Sequence, residues 1–197
     1  GMNYHYNGSR TKIKTALSAF TSEVDNWIIW LPGFKGYWEP VNIDKVKSSG
    51  IEATASILKK AGEWHFRLRG NYAYTQSLNL GSKTNWADES IGKQLPYIPL
   101  HSANLNIFSG FKTWALSYTW NYFSVRYTTS SNEKSSFRDY LYPYFMSQLR
   151  FTKSFALKNY SISSGFTVYN LFNEEYRSVL QRPMPGRNYH LLVKIDF

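Results

Sequence analysis

Hydrophobic and polar residues alternate along most of the chain. In WHFRLRGNYAYT, Trp64, Phe66, Leu68, Tyr72 and Tyr74 share one face, while His65, Arg67, Arg69, Asn71 and Thr75 share the other. A period of two marks a strand with unlike faces. TWALSYTWNY sets Trp114, Leu116, Tyr118, Trp120 and Tyr122 against Thr113, Ala115, Ser117, Thr119 and Asn121, and ANLNI sets Ala103, Leu105 and Ile107 against Asn104 and Asn106. FMSQLRFTKSF places Phe145, Leu149, Phe151 and Phe155 opposite Met146, Gln148, Arg150 and Thr152, and SISSGFTVYNLF aligns Ile162, Phe166, Val168 and Phe172. The last stretch sets Tyr189, Leu191, Val193, Ile195 and Phe197 against His190, Leu192, Lys194 and Asp196. KVKSSGIEATASIL is weaker, and its periodicity alone also admits a short helix. With TKIKTALSAFTSEVDNWII these segments predict eight strands, and MNYHY a fragment of a ninth. The expected fold is all-β, an antiparallel up-and-down meander of about eight to ten strands filling residues 1–197 as one domain.

The connections carry a second pattern. YNGSR, whose Asn7-Gly8 signals a type I′ turn, KKAG, SGFK and ALKN are short. LPGFKGYWEPVN, LNLGSKTNWADESIGKQLPYIP, TTSSNEKSSFRDYLYP and NEEYRSVLQRPMPG are long, and the two kinds alternate along the chain. A meander whose two ends face different compartments sorts its loops this way, as outer-membrane barrels do with short periplasmic turns and longer extracellular loops. A soluble sandwich has no reason to sort loop length by parity.

Lipid explains the faces. Backbone groups in hydrocarbon must all be paired, so sheets there close into barrels whose outer face is apolar, with Trp and Tyr near the interfaces. Trp64 beside KKAG, and Tyr122 and Tyr189 toward the long loops, fit such a girdle. His65, Arg67, Arg69, Arg150, His190, Lys194 and Asp196 fall on the opposite, lumen-facing side, where water or polar partners are needed because burying isolated charge is costly. Aromatic residues make up 18% of the chain, and the low mean hydropathy does not argue against a barrel, since the polar lumen face offsets the lipid face.

Composition removes several function classes. Without cysteine there is no disulfide, thiol chemistry or cysteine metal site. The net charge of +10 is scattered in sequence rather than gathered in a run, so no nucleic-acid partner is expected. The four histidines, His5, His65, His101 and His190, have no metal-ligand spacing, and no cofactor is expected. His101 and Ser102 are adjacent, so on a strand they point to opposite faces and cannot act as a catalytic pair. No enzyme is expected. No signal-peptide pattern is read at the N-terminus.

Five stretches resemble the C-terminal barrel of TonB-dependent outer-membrane receptors, especially cobalamin-receptor-like members of Bacteroidetes-type bacteria. YNLFNEEY (Asn170, Leu171, Phe172, Asn173, Tyr176) resembles the family's late strand-to-loop motif, and RPMPGRNY (Pro185, Gly186, Arg187) its approach to the last strand. The terminal alternation Tyr189, Leu191, Val193, Ile195, Phe197 resembles the signal read by the barrel-assembly machinery. GKQLPYIPLHSANL and DNWIIW…YWEPVNIDKVKSSGIE resemble earlier barrel segments. The resemblance implies a Gram-negative outer-membrane location, contact with lipid or detergent, and uptake of a scarce nutrient such as cobalamin or a siderophore. It also implies an N-terminal plug with a TonB box, through which TonB would act; neither is read in these residues. Family barrels have about 22 strands, so a shorter piece is expected to close as a small barrel or to self-associate through its open edges. Two other readings stay open at this level, a self-contained small outer-membrane barrel with a structural or binding role and a soluble β-sandwich binding module.

Overall fold

The computed structural model describes residues 1–32, 36–81, 89–158 and 160–196. Each alternating stretch is extended, giving β1 (Met2–Asn7), β2 (Thr11–Pro32), β3 (Trp38–Ala61), β4 (Trp64–Asn79), β5 (His101–Phe111), β6 (Trp114–Phe123), β7 (Arg126–Tyr127), β8 (Tyr140–Leu141), β9 (Tyr144–Ala156), β10 (Ser161–Tyr169) and β11 (Asn188–Asp196). Nine of these form one antiparallel sheet in the order β1-β2-β3-β4-β5-β6-β9-β10-β11, and β7 with β8 makes a small separate ribbon. This is the expected meander. The ambiguous KVKSSGIEATASIL lies within β3, paired on both sides, with Ile51 opposite Ala19 and Tyr74. Ladder bonds to two neighbours outweigh a weak local helical preference.

The sheet is a single layer. Among the described residues the buried apolar side chains are Val46, Leu95, Leu141 and Tyr144, whereas Leu191 is 69% exposed and Ile107 42%. A sandwich would cover one face with a second sheet about 10 Å away; the described residues supply none. A bare apolar face of this extent needs a non-aqueous neighbour. Nor does the sheet close on itself: β1 pairs with β2 and β11 with β10, and the two edge strands do not pair with each other. The small closed barrel is therefore not formed, because the edges stand at opposite ends of the meander.

Loops sort by parity as the sequence suggests. Among the described residues, turns 8–10, 62–63, 112–113 and residues 157, 158 and 160 lie at one end of the strands, and residues 36–37, 80–81, 89–100, 124–143 and 170–187 at the other. Two local expectations are corrected. Asn7 remains in β1, opposite Lys12, and neither it nor Gly8 takes a positive φ; the connection is a three-residue one closed by Gly8 N–H donating to the Thr11 carbonyl at 2.8 Å, so type I′ geometry is not needed. LPGFKGYWEPVN is mostly ladder rather than loop, since β2 and β3 stay paired out to Pro32 opposite Trp38, while β3 leaves β4 at Val46 opposite Asn79. Residues 33–35 of that stretch lie outside the described residues. The β-branched and aromatic residues Trp30, Trp38, Val41 and Ile43 favour this two-stranded ribbon beyond the sheet.

One close approach fixes the interior of the sheet. Gly50 faces Phe20 across β2–β3, and a Cβ there would stand 2.2 Å from the Tyr74 carbonyl oxygen and 2.9 Å from the Phe20 ring. Only glycine fits.

Candidate functional site

Register turns the alternating pattern into rows across the polar face. One row runs Asn7, Lys12, Leu58, Arg67, Phe108, Ser117, Arg150, Thr167, His190. The next row toward the long loops carries His5, Lys14, Ser56, Arg69, Asn106, Thr119 and Gln148, and the next toward the short turns carries Lys60, His65, Gly110, Ala115 and Thr152. Thus His65, Arg67 and Arg69 of β4 lie within three adjacent rows together with Arg150 and His190, far from them in sequence. Lys194 and Asp196 stand apart at the short-turn end of β11, bonded to each other at 2.6 Å. Arg67 lies over the Phe108 ring at 5.6 Å, and the Arg150 guanidinium covers Gly165, where a Cβ would meet its Nη2 at 3.5 Å. An amide ladder continues beside them: Asn106 donates to Asn104 at 2.6 Å, Asn104 to Asn121 at 2.6 Å, and Thr119 to Asn106 at 3.0 Å. The face encloses a groove of about 730 Å³ lined by Lys14, Arg67, Arg69, Asn71, Asn104 and Asn106 among others.

The opposite face is aromatic at both ends. Beside the short turns, Trp64 packs on Phe111 at 4.6 Å and Trp114 on Phe151 at 5.1 Å. Lys153 sits 3.7 Å over the Trp114 ring and donates to Thr113 at 2.7 Å, keeping its ammonium at that level. Nearer the long loops lie Tyr122, Tyr189 and the pair Tyr72 hydroxyl with His101 Nδ1 at 2.8 Å. His101 pairs opposite Tyr74 and Ser102 opposite Ala73, which puts them on different faces as expected. Tyr189, Leu191, Val193 and Ile195 share the exposed apolar face of edge strand β11; Phe197 lies outside the described residues.

At the long-loop end, both halves of the late motif meet. Asn170, 2% exposed and at φ 49°, donates to the carbonyls of Glu174 at 2.9 Å and Pro185 at 3.5 Å and accepts from Glu174 N–H at 2.8 Å. Asn173 accepts from Arg187 N–H at 2.8 Å, with Gly186 packed so closely that a Cβ would lie 3.0 Å from the Asn173 oxygen. Leu171 N–H bonds the Ser147 carbonyl, Phe172 meets Phe145 edge-on, and Tyr176 packs on Tyr144 at 4.9 Å. These residues therefore organise the 170–187 loop against the sheet, Asn tolerating the left-handed backbone that the turn imposes.

Arg126 ties this loop to the next. It is 5% exposed, donates to the carbonyls of Arg177 at 2.9 Å and Ser178 at 3.4 Å, and lies 4.8 Å over the Tyr144 ring. Its Nε and the nearby Tyr97 hydroxyl are buried without hydrogen-bond partners among the described residues. Burial pulls the Arg126 guanidinium below its usual range and pushes the Tyr97 hydroxyl up, so Tyr97 stays neutral. Sequence reading passes over Arg126 because its partners are backbone carbonyls some fifty positions away, which leave no side-chain signal. Between loops 124–143 and 170–187 opens an aromatic cleft of about 650 Å³, lined by Phe137, Tyr140, Tyr142, Tyr176 and the carboxylates of Glu174 and Glu175 among others.

A family model described as TonB dependent receptor-like, beta-barrel matches residues 1–172. The chain belongs to that family. TonB-dependent receptor barrels are outer-membrane proteins of Gram-negative bacteria that act in transport. No curated protein matches the sequence. Among solved structures, the ferric preacinetobactin receptor BauA from Acinetobacter baumannii aligns over 98% of this chain and 28% of its own length at 18% identity, with a TM-score of 0.67. The copper transporter OprC aligns over 99% of this chain and 30% of its own at 18% identity and TM-score 0.64. The ferric yersiniabactin uptake receptor FyuA from Yersinia pestis aligns over 98% and 28% at 16% identity and TM-score 0.60. The chain thus spans less than a third of the length of each of these three proteins and is a barrel fragment in extent, in keeping with its open sheet.

Proposed function

We propose that the chain is a wall segment of an outer-membrane receptor that takes up a scarce nutrient carried as a bulky chelate, such as a siderophore complex or cobalamin. The observation that carries the reading is a single-layer sheet, polar on one face and apolar on the other, with its large loops gathered at one end. In this reading the apolar face meets lipid and the rows of His65, Arg67, Arg69, Arg150 and His190 line the interior. The aromatic cleft of the loop rim is the segment's share of cargo contact. The edges β1 and β11 pair with further strands, from the rest of a barrel or from another copy, and the exposed row of β11, with Phe197, is the address for barrel assembly. TonB would act through a plug, and no enzymatic step is involved.

The membrane part is tested by moving one charge between the faces of β5. Ile107→Arg places the charge in lipid near mid-strand and should cost assembly about 2–4 kcal/mol; Asn106→Arg, one residue away, should be tolerated. Folded fraction in phospholipid vesicles, read by heat-dependent mobility on gels, checks this, and equal losses would refute the face assignment. The cargo part is tested by titrating cobalamin and a ferric catecholate against the chain in the same vesicles. Saturable binding weakened by Tyr142→Ala supports it, and binding of neither ligand overturns it.

A further inference from the structure

Charge on the apolar face is confined to its two ends, and the ends differ. From the row of Leu68 to the row of Tyr74 no lysine, arginine or carboxylate falls on it. On β4 the stretch from Trp64 to Tyr74 covers roughly 33 Å, which at the usual strand tilt is the height of a barrel's apolar band. Toward the long loops, Lys45 and Lys47 are balanced by Glu23 at 2.8 and 4.0 Å, with Asp25 opposite Lys45. Toward the short turns, Lys59 shares a row with Phe66, Leu116 and Phe151, and Lys153 shares the next with Trp64, Phe111 and Trp114. Neither lysine has an ion pair among the described residues. At that end Glu63 is taken by Lys112 at 3.2 Å, and Asp196 by Lys194 on the polar face. The exposed turn cations Arg10 and Lys158 add to the same side.

Lys153 is fixed in place. Its ammonium lies 3.7 Å from the centre of the Trp114 ring and 5.3 Å from that of Phe155, and donates to Thr113 Oγ1 at 2.7 Å. An ammonium carries three N–H donors; Thr113 takes one, which leaves two for acceptors at the level of the aromatic girdle. Tryptophan in such a girdle sits at headgroup depth, and a lysine there meets phosphate as a point charge. Lys59 on β3 and Lys153 on β9 are four strand steps apart, roughly 19 Å. One phosphate cannot reach both, so the two engage separate headgroups. A zwitterionic headgroup brings its own cation to this level and cancels most of the attraction. A headgroup of net negative charge keeps it.

We propose that the short-turn boundary of the apolar face binds anionic phospholipid headgroups, with Lys59 and Lys153 each holding a phosphate. The proposal rests on the reading that this face meets lipid. Its test uses the whole chain folded in phosphatidylcholine vesicles that contain phosphatidylglycerol. Bromine on the acyl chains of one lipid or the other, near the headgroup, quenches tryptophan on contact. Phosphatidylglycerol should quench well beyond its mole fraction, and the excess should shrink as salt is raised. Lys59→Gln with Lys153→Gln should weaken the association about fivefold at each site. Lys153→Arg keeps the charge and should keep the preference. Lys45→Gln with Lys47→Gln, at the other end, should leave it unchanged. Folded fraction is measured for each variant, and the unaltered chain decides the matter by itself where a variant misfolds. An undiminished preference in the folded double glutamine variant would overturn the proposal. If neither brominated lipid quenches, the lipid reading itself fails; if both quench in proportion to their amounts, the headgroup site alone fails.

Discussion

A single methyl group at position 50 should prevent the sheet from assembling. The Cβ of Gly50→Ala would lie 2.2 Å from the Tyr74 carbonyl oxygen, and that oxygen belongs to the backbone of a strand paired on both sides. Rotamer changes cannot relieve the collision; β3 and β4 must separate locally and give up ladder bonds. Overpacking of this kind costs about 3 kcal/mol or more. Gly70→Ala is the matched control, since its Cβ would meet nothing closer than the Asn104 carbonyl at 3.8 Å and Leu105 at 3.9 Å. Folded fraction in detergent should fall steeply for the first and little for the second. Adding Phe20→Ala to Gly50→Ala should not rescue it, because the ring contact is the longer of the two. Equal folding of Gly50→Ala and Gly70→Ala would show that the strands do not pack in this way.

Replacing Arg126 should loosen one loop without touching the wall. Arg126→Met keeps the volume and apolar contact with Tyr144 but leaves the carbonyls of Arg177 and Ser178 without their donors. Both bonds are part-buried, and each contributes about 1–1.5 kcal/mol. Since the contacts concern one loop, the loss is local. Amide exchange in residues 174–180 should speed up about a hundredfold, which corresponds to the ~2.7 kcal/mol of two lost bonds, while β5 and β6 exchange as before. Arg126→Lys should not restore protection, as an ammonium cannot fork onto two successive carbonyls from that position. Unchanged exchange in Arg126→Met would mean that the loop is held by the Asn170 and Asn173 contacts alone.

Strand faces were legible in the sequence because a period of two is a local property: Trp64 and Arg67 declare opposite sides whatever their neighbours do. Row alignment was not, because register depends on which strand lies alongside. Lys12, Arg67 and Arg150 look scattered along the chain, and only the pairing of β2 through β9 places them in one row. The β2–β3 ribbon looks like a loop in the sequence for a related reason. Gly33, Gly36 and the prolines suggest turns, yet Trp30, Val41 and Ile43 continue the ladder around them. The late motif was visible as a pattern of Asn, Pro and Gly, but its work, with Asn170 and Asn173 bonding the backbone of residues up to Arg187, depends on a folded-back loop. Arg126 and the β7–β8 ribbon gave no local signal at all.

The single-layer wall has a calorimetric consequence. A water-soluble domain of this length gains about 2–3 kcal/mol/K of heat capacity on unfolding, because its core is brought into water. Here almost nothing apolar leaves a protein interior, since Val46, Leu95, Leu141 and Tyr144 are the buried apolar side chains among the described residues. Where the outer face stays in lipid or detergent before and after unfolding, the heat-capacity change is a small fraction of that figure. The curve of stability against temperature is then broad and shallow, with enthalpy and entropy nearly constant along it. The steep loss of stability on cooling that follows from hydration of a large core has no counterpart in this sheet.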